Sequence, residues 1–326
     1  MAATPLTVAI ERYERHLPLI EGRVRSPPGF SLNILEVGQE GEQRHGRHRH
    51  ERMLREDAFD IAELSLSSYL IAKDRGLPFT AVPVFPRRLF SQTQIFVRAD
   101  SPIRTPQEFV GRRVGLQSFQ TTLAALAKGD LSFAYGVPWR SIKWHIRDRE
   151  TLALPPDLDA QITRVPADAD LALLLAEGAV DALFYSRYPQ SPKVAHGSIR
   201  RLFPDPAAAA LDYFRANGWF PVMHVLALKQ TVGDRHPSLP AALIPWYSEA
   251  LALCRKAYDD PAWSILPFGR IAYETTFAEF GTDPWAQGLA ANRPYLARFI
   301  NYARDQQLVA GSLTPEDLFH PSVLST

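Results

Sequence analysis

The stretch FDIAELSLSSYL, residues 59–70, combines an apolar run with a burst of small hydroxyl residues. Residues 59–64 predict a strand that is buried on both faces of a parallel sheet, because such strands lose the polar alternation of exposed ones. The hydroxyls of Ser65, Ser67 and Ser68 follow where the strand ends and a helix begins. Free N–H groups and the positive end of the helix dipole suit this junction to a carboxylate or phosphate. Helix capping explains any one serine equally well, but it does not require three.

The composition is that of an ordinary globular protein. The 326 residues are 46% hydrophobic and 22% charged, which suits two domains with sizeable cores. Thirty-six Lys and Arg against thirty-five Asp and Glu give a formal charge of +1, so we expect neither nucleic acid nor a membrane as partner. Cys254 is the single cysteine, so an intramolecular disulfide is excluded. The sequence has neither a signal-peptide pattern nor an apolar run near the ~20 residues that a membrane span needs, so we expect a cytoplasmic protein. Whether it forms a homo-oligomer stays open.

Strands and helices alternate on both sides of the opening stretch. LTVAI at residues 6–10 and SLNILEV at 31–37 are predicted strands, and a charged helix over 43–55 leads into the next one. This order is typical of a parallel sheet with crossover helices. Tyr13 and Arg15 come just after the first strand, so their polar groups are expected at its carboxyl end.

The segment RHGRHRH, residues 44–50, holds three histidines. His45 and His48 would share a helical face, which is one arrangement for a metal. We favour a solvated basic helix instead, because the arginines between them repel a cation.

FTAVPVF at residues 79–85 is a further predicted strand, and Arg87 follows it. An arginine at a strand exit is a candidate carboxylate clamp, since its planar fork matches a carboxylate with two hydrogen bonds. A surface ion pair is the alternative. The strand at 93–98 is expected to cross to a second domain, because the whole pattern repeats after it.

The repeat gives a strand at 113–116 and a helix that opens at Gln120, Thr121 and Thr122, a second polar helix start. The strand VDALFY at 180–185 then ends near Arg187. The pattern SP…TPQEFVGRRVG before such a start is typical of two-lobed solute-binding proteins.

The predicted fold is therefore α/β and two-lobed, with a ligand cleft between the lobes, and it resembles the type II periplasmic-binding-protein fold. Lobe 1 takes residues 1–96 and 222–326, with the C-terminal helices packed on it, and lobe 2 takes 97–221. FPVMHVLAL at 220–228 is expected to return the chain to lobe 1 and carries His224. A single histidine in an apolar run is usually a core residue, but on a crossing strand it would line the cleft and exchange a proton near neutral pH.

Several segments together resemble the 4,5-dihydroxyphthalate decarboxylase family over nearly the whole chain. They are ELSLSSY (63–69), PVFPRRLF (83–90), RVGLQSFQTT (113–122), RRLFPD (200–205), FPVMHV (220–225) and GLAANRPYLARF (288–299). Near the start, Tyr13 and Arg15 keep the places of the family pattern, whereas Glu14 and His16 depart from the usual Asp and Thr. The resemblance implies a cytoplasmic enzyme of aromatic degradation that removes one carboxylate from a dihydroxylated benzene dicarboxylate and gives protocatechuate.

For such a reaction we predict that His224 supplies the proton. Glu63 would orient His224 or accept a phenolic proton, although it could equally be the buried partner of an arginine. Arg87 and the serines at 65, 67 and 68 are expected to bind one carboxylate, with Gln120 and Thr121 reaching the substrate from the other lobe.

No organic cofactor is expected, and a divalent metal stays open because catechol oxygens could join Glu63 and His224 as ligands. The alternative function is a non-catalytic solute-binding protein for a small aromatic acid. A pyrimidine synthase of similar fold with a cysteine-rich metal motif is disfavoured, because Cys254 is the single cysteine.

Overall fold

A computed structural model describes residues 2–147 and 149–326. Within them the chain forms strands β1 (Thr4–Ile10), β2 (Phe30–Glu36), β3 (Ile61–Ser65), β4 (Phe79–Arg88), β5 (Ile95–Arg98), β6 (Arg113–Leu116), β7 (Lys143–Arg147), β8 (Gln161–Val165), β9 (Ala182–Phe184), β10 (Ile199–Arg201) and β11 (Val222–Lys229). The helices are α1 (Leu17–Ile20), α2 (Arg49–Glu56), α3 (Leu66–Asp74), α4 (Thr122–Phe133), α5 (Leu171–Ala176), α6 (Pro206–Asn217), α7 (Gln230–Arg235), α8 (Leu239–Ala257), α9 (Gly269–Phe280) and α10 (Leu289–Asp305). None of the helices in the described ranges combines the length and apolar character that a membrane span needs.

The chain divides into two compact units, each with its own sheet. The first unit comprises Met1–Arg87, His224–Pro294 and Leu313–Thr326, and the second comprises Arg88–Met223 and Tyr295–Ser312. The first boundary thus falls at 87/88, where the sequence analysis placed it at 96/97, because β5 pairs with β9 and β10 of the second sheet. Residues 295–312 also differ from the predicted assignment to lobe 1. Their Gln306 side chain donates a buried hydrogen bond to the carbonyl of Ala125 in α4, at 2.7 Å.

The first unit is built on a five-stranded sheet in the order β2-β1-β3-β11-β4. β1 runs parallel to β2 and β3, whereas β11 runs antiparallel to β3. All five residues of β3 are buried, as expected for a central strand. Pro83 and Pro86 both lie in β4, the edge strand of the sheet, which is where prolines occur within sheets.

The junction between β3 and α3 is a capped helix start. Ser65 is the N-cap of α3, and its Oγ accepts a hydrogen bond from the N–H of Ser68 at 3.5 Å. Ser65, Ser67 and Ser68 are all buried. The predicted strand, serine junction and helix are therefore present, and one of the three serines has a capping role.

The second unit has a six-stranded sheet in the order β10-β5-β9-β6-β7-β8. β6 runs parallel to β7 and β9, and β5 runs antiparallel to β9 and β10. A core of buried residues packs α5 against this sheet, with Phe96, Leu175 and Leu183 among its members. The alternation of strands and helices predicted for the second half of the chain is thus found.

Candidate active site

The side chains of Glu63 and His224 meet on neighbouring strands of the first unit. In the register of β3 and β11, His224 lies opposite Ser65, and Glu63 lies two residues further along the same face. Nδ1 of His224 is 2.5 Å from Oε1 of Glu63. Glu63 is fully buried and His224 is 6% exposed. This short contact fixes the histidine ring and leaves Nε2 as the nitrogen that a ligand would meet.

A buried arginine completes the surroundings of Glu63. Arg49 Nη2 lies 3.4 Å from Glu63 Oε2, and Arg49 Nε donates to the backbone carbonyl of Glu63 at 2.8 Å. Arg49 also forms an ion pair with Glu11 at 3.1 Å and donates a hydrogen bond to the carbonyl of Val37. The N–H of Glu11 in turn donates to Glu63 Oε2 at 2.9 Å. The carboxylate of Glu63 is therefore held by one guanidinium, one backbone N–H and one imidazole.

These contacts keep Glu63 ionised. Burial by itself raises the pKa of this carboxyl, but the charge of Arg49 and the hydrogen bond of His224 outweigh burial and hold the pKa well below its usual value. For His224 the balance goes the other way. Burial, together with the charges of Arg87 and Arg49, outweighs the attraction of Glu63 and lowers the pKa of His224 to about 4. Without substrate, His224 is thus a neutral imidazole at pH 7, and its Nδ1–H donates to Glu63.

Arg49 and His50, which the sequence analysis placed on a solvated basic helix, are buried in the first turn of α2. The solvated interpretation is wrong for these two residues, because α2 begins at Arg49 and turns them to the same side as Met53 and Leu54. The ring of His50 meets that of His224 edge to face, with centroids 5.1 Å apart. Its Nε2 is buried and has no hydrogen-bond partner among the described residues.

His16 has a structural arrangement. Its Nδ1 is 2.7 Å from the backbone carbonyl of Glu11, so Nδ1 must carry the proton and donate. Its Nε2, 3.0 Å from the hydroxyl of Tyr247, then accepts. Burial lowers the pKa of His16 to about 4, so it stays neutral. With both ring nitrogens engaged, His16 supports the loop that carries Glu11.

Three predicted substrate-binding residues lie near this cluster. Arg87 is half-buried, and its charge lowers the pKa of both His224 and His50. Burial raises the pKa of Tyr13, and Arg87 again opposes the shift. The guanidinium of Arg15 lies 4.0 Å from the ring centre of Tyr13 and donates to the carbonyl of Pro86. The structure therefore brings Glu63, His224, Arg87, Tyr13 and Arg15 together within one unit.

The other predicted residues belong to the second unit. Gln120 is buried, and its side-chain amide exchanges two hydrogen bonds with the backbone of Leu152. Thr121 is the N-cap of α4 and accepts from the N–H of Ala124 at 3.3 Å, while Thr122 is buried. Arg187 is exposed beyond the end of β9.

The loop before α4 already binds a carboxylate of the chain itself. Glu150 accepts hydrogen bonds from the hydroxyl of Ser118 at 2.8 Å and from the N–H groups of Phe119 at 2.6 Å and Gln120 at 3.3 Å. These three donors surround the carboxyl group of Glu150, although burial raises its pKa, and the predicted role of the helix start in substrate binding stays a prediction.

Comparison with known proteins first defines the class. Residues 40–130 match a family model described as NMT1/THI5 like. The alkanesulfonate-binding protein SsuA from Xanthomonas axonopodis pv. citri, solved with bound MOPS, superposes with a TM-score of 0.60 at 16% identity, covering 98% of this chain and 99% of that one. The periplasmic aliphatic sulphonate binding protein SsuA from Escherichia coli gives a TM-score of 0.56 at 13% identity over the full length of both chains. The predicted α/β fold of the periplasmic-binding-protein type is confirmed.

Sequence relatives then define the family. A 4,5-dihydroxyphthalate decarboxylase from Comamonas testosteroni is 31% identical over 100% of this chain and 99% of its own length. A second one, from Pseudomonas putida, is 30% identical over 65% of this chain and 81% of its own length. The chain belongs to the 4,5-dihydroxyphthalate decarboxylase family, as its sequence segments predicted.

Four residues of the cluster were not predicted as part of a site: Glu11, His16, Arg49 and His50. A helical signal for two of them exists, since Arg49 and His50 each lie four residues before an apolar residue, Met53 and Leu54. Glu11 directly follows β1 and His16 ends the short 3-10 helix Glu14–His16, and neither position is part of such a period.

Proposed function

We propose that the protein is a carboxy-lyase that removes one carboxylate from 4,5-dihydroxyphthalate without oxidation and releases protocatechuate. Both curated relatives are named for this decarboxylase activity, and the similarity to one of them extends over the whole chain. The observation that carries the proposal is the buried contact of 2.5 Å between Glu63 and His224. It provides an oriented imidazole, which a reaction that replaces a carboxylate by a proton requires.

In the proposed reaction a C–H bond forms at the ring carbon that bears the leaving carboxylate. The carbon–carbon bond to that carboxylate then breaks, its electron pair returns to the ring, and carbon dioxide leaves. A ring hydroxyl supports the first step by donating electron density. One proton is consumed, and we assign its delivery to Nε2 of His224.

His224 is neutral without substrate, so it must gain this proton when substrate binds. The pKa of His224 is about 4 because burial and two arginines outweigh Glu63. A bound dicarboxylate adds negative charge near the ring and partly neutralises Arg87, and both effects raise the pKa of the imidazole. Glu63 then stabilises the imidazolium through Nδ1. The substrate thus helps to create the acid that protonates it.

We further propose that Arg87, Arg15 and Tyr13 contact the substrate, with one carboxylate at the buried serines of the β3–α3 junction. A half-buried guanidinium is suited to a bidentate carboxylate contact. In the second unit, Gln120, Thr121, Thr122 and Arg187 stay proposed contacts. The side chain of Gln120 is already hydrogen-bonded to Leu152 and its backbone N–H to Glu150, so a contact with substrate would require Gln120 to exchange one of these partners.

Metal dependence is part of the test. Across residues 2–147 and 149–326, no three His, Cys, Asp or Glu side chains are arranged to hold a metal ion. Because Glu63 is already bonded to Arg49, Glu11 and Nδ1 of His224, Nε2 of His224 is the atom of this pair that a divalent ion bound to catechol oxygens could use. We also propose that the protein works in the cytoplasm as part of phthalate breakdown, where its single cysteine needs no disulfide partner. Cell fractionation tests the location.

The decisive experiment measures carbon dioxide release from 4,5-dihydroxyphthalate and a panel of hydroxylated benzoates, with EDTA and with added divalent metal. We expect release from 4,5-dihydroxyphthalate and formation of protocatechuate in equal amounts. Tight binding of a panel member without release from any compound would refute the enzyme and support a solute-binding protein.

A further inference from the structure

His50 is a buried side chain with an incomplete set of hydrogen bonds. It is 5% exposed, and its Nε2 has no partner among the residues that the structure describes. Its backbone N–H donates to Oε1 of Gln39 at 3.0 Å, so the start of α2 is fixed. A buried polar atom without a partner is destabilising, and in a native protein it calls for an explanation, of which a catalytic or binding role is one.

The position of His50 connects this nitrogen to the proposed chemistry. Its ring stands at 89° to that of His224, with centroids 5.1 Å apart. The charged groups that face it are Arg49 beside it in α2, Glu63 in β3 and Arg87 at the end of β4. Burial, Arg49 and His224 lower the pKa of His50 well below its usual value, and the attraction of Glu63 does not reverse this. His50 is therefore neutral without substrate, and the hydrogen bond to Glu63 that would stabilise an imidazolium belongs to His224.

We propose that Nε2 of His50 contacts the substrate and recognises a hydroxyl group of the aromatic ring. This inference rests on the proposed function and specifies the substrate class of the same site. A hydroxyl both donates and accepts, so it pairs with a neutral imidazole in either tautomer. A carboxylate is less suitable, because it only accepts and because the carboxylate of Glu63 lies nearby.

The consequence is selection by hydroxylation. A site that is built to hydrogen-bond a ligand hydroxyl discriminates strongly against an analogue without it, because the buried polar group is then left unpaired. Ring hydroxyls also supply the electron density that the proposed protonation needs. His50 would thus favour the binding of hydroxylated rings, which are the rings that can be protonated in the proposed reaction.

The test compares the binding of protocatechuate with that of benzoate, neither of which requires turnover. We expect the wild-type protein to bind protocatechuate more tightly than benzoate. The ratio of the dissociation constant for benzoate to that for protocatechuate should fall at least tenfold in H50F. H50Q should keep most of the preference, since its amide also donates and accepts. H196Q, at an exposed histidine of the second unit, is the matched control and should leave the ratio unchanged. A ratio in H50F within twofold of wild type would overturn the inference, as would a wild-type protein without preference.

A second measurement avoids mutation and any effect on folding. In protein with ¹⁵N-labelled histidine, the Nε2 resonance of His50 should shift when protocatechuate is added and stay in place with benzoate. The absence of a shift with bound protocatechuate would also overturn the role. Carbon dioxide release by wild type tests the decarboxylase separately, so a protein that binds hydroxylated rings without turnover would refute the proposed function and leave the role of His50 standing.

Discussion

Replacing Arg49 by methionine removes a fully buried cation that faces two carboxylates. In the native protein, Arg49 lies 3.1 Å from Glu11 and 3.4 Å from Glu63. Methionine fills a similar volume without charge, so R49M leaves the negative charges of Glu63 and Glu11 in a buried site. Breaking a buried ion pair in this way costs about 3–5 kcal/mol of folding free energy.

The size of the loss should depend on pH, and the sign follows from the ionisation of Glu63. In wild type the pKa of Glu63 is held well below its usual value, so its contribution to stability is complete above the unfolded pKa and is lost as pH falls through the folded one. In R49M the dominant favourable charge is gone, and burial raises the pKa of Glu63. Loss of Arg49 also raises the pKa of His224, since Arg49 is one of the groups that lower it.

Folded R49M therefore holds a proton that the unfolded chain releases, and its stability falls as pH rises. Each pH unit over which one such proton is held changes the free energy of unfolding by about 1.4 kcal/mol. Between pH 5 and pH 8 we expect the deficit of R49M relative to wild type to grow by at least that amount, up to about 4 kcal/mol.

Urea unfolding followed by circular dichroism at the two pH values measures this difference. R12M is the matched control, because Arg12 pairs with Glu36 at 2.7 Å but is 55% exposed, and such a pair contributes about 0–1 kcal/mol. An equal loss for R49M at pH 5 and pH 8 would refute the claim that uncompensated buried charge is the cause. A loss no larger than that of R12M would refute the importance of the ion pair itself.

Three further predictions concern single side chains. H224N should lower kcat by about 10²–10⁴-fold while the dissociation constant of protocatechuate changes little, because a general acid is lost and the anion contacts remain; unchanged kcat would end the role of His224 as acid. R87K should raise KM about tenfold with a smaller effect on kcat, because lysine cannot make the bidentate contact; an unchanged KM would place the carboxylate elsewhere. Asp130 accepts hydrogen bonds from Ser91, Tyr213 and Tyr302, and burial raises its pKa to about 7. Between about pH 4 and pH 7 the folded protein therefore holds a proton on Asp130 that the unfolded chain releases, so the stability of wild type falls as pH rises over this range. The stability of D130N relative to wild type should accordingly be greater at pH 8 than at pH 5, and a pH-independent difference in urea unfolding would contradict the shift.

The elements that sequence predicted correctly have local patterns. The fully buried β3 strand, the serine start of α3 and the strands around them depend on short-range periodicity and turn chemistry, and the structure contains them. The fold type and the family were predicted from segments spread over the chain, and the comparisons confirm both. The two relatives are named for decarboxylase activity, which is proposed for this chain. The catalytic and binding roles of the named residues stay predictions.

The parts that sequence did not predict depend on long-range pairing. Glu63 had three open interpretations, as a partner of His224, as the acceptor of a phenolic proton or as the buried partner of an arginine. The structure shows the first and third contacts at once, and the second stays a prediction. Nothing in residues 44–50 identifies Glu63 as the partner of Arg49, which lies fourteen positions before it. Six basic residues among the seven positions 44–50 favour a solvated helix unless the Met53–Leu54 face is considered. The boundary at 87/88 also depends on which sheet accepts β5, and this is a property of strand pairing.

The topology of the first sheet explains why the reactive groups meet where they do. Glu11 follows the end of β1, and Glu63 lies near the end of β3, so both are at the carboxyl ends of parallel strands, the usual place for ligand binding in open α/β sheets. β11 runs the opposite way, so His224 near its beginning reaches the same end. If β11 ran parallel to β3 instead, its third residue, His224, would lie at the opposite end of the sheet from Glu63. The antiparallel return of the chain is therefore what brings an imidazole to Glu63, and the sheet hydrogen bonds, rather than a loop, hold the pair in place.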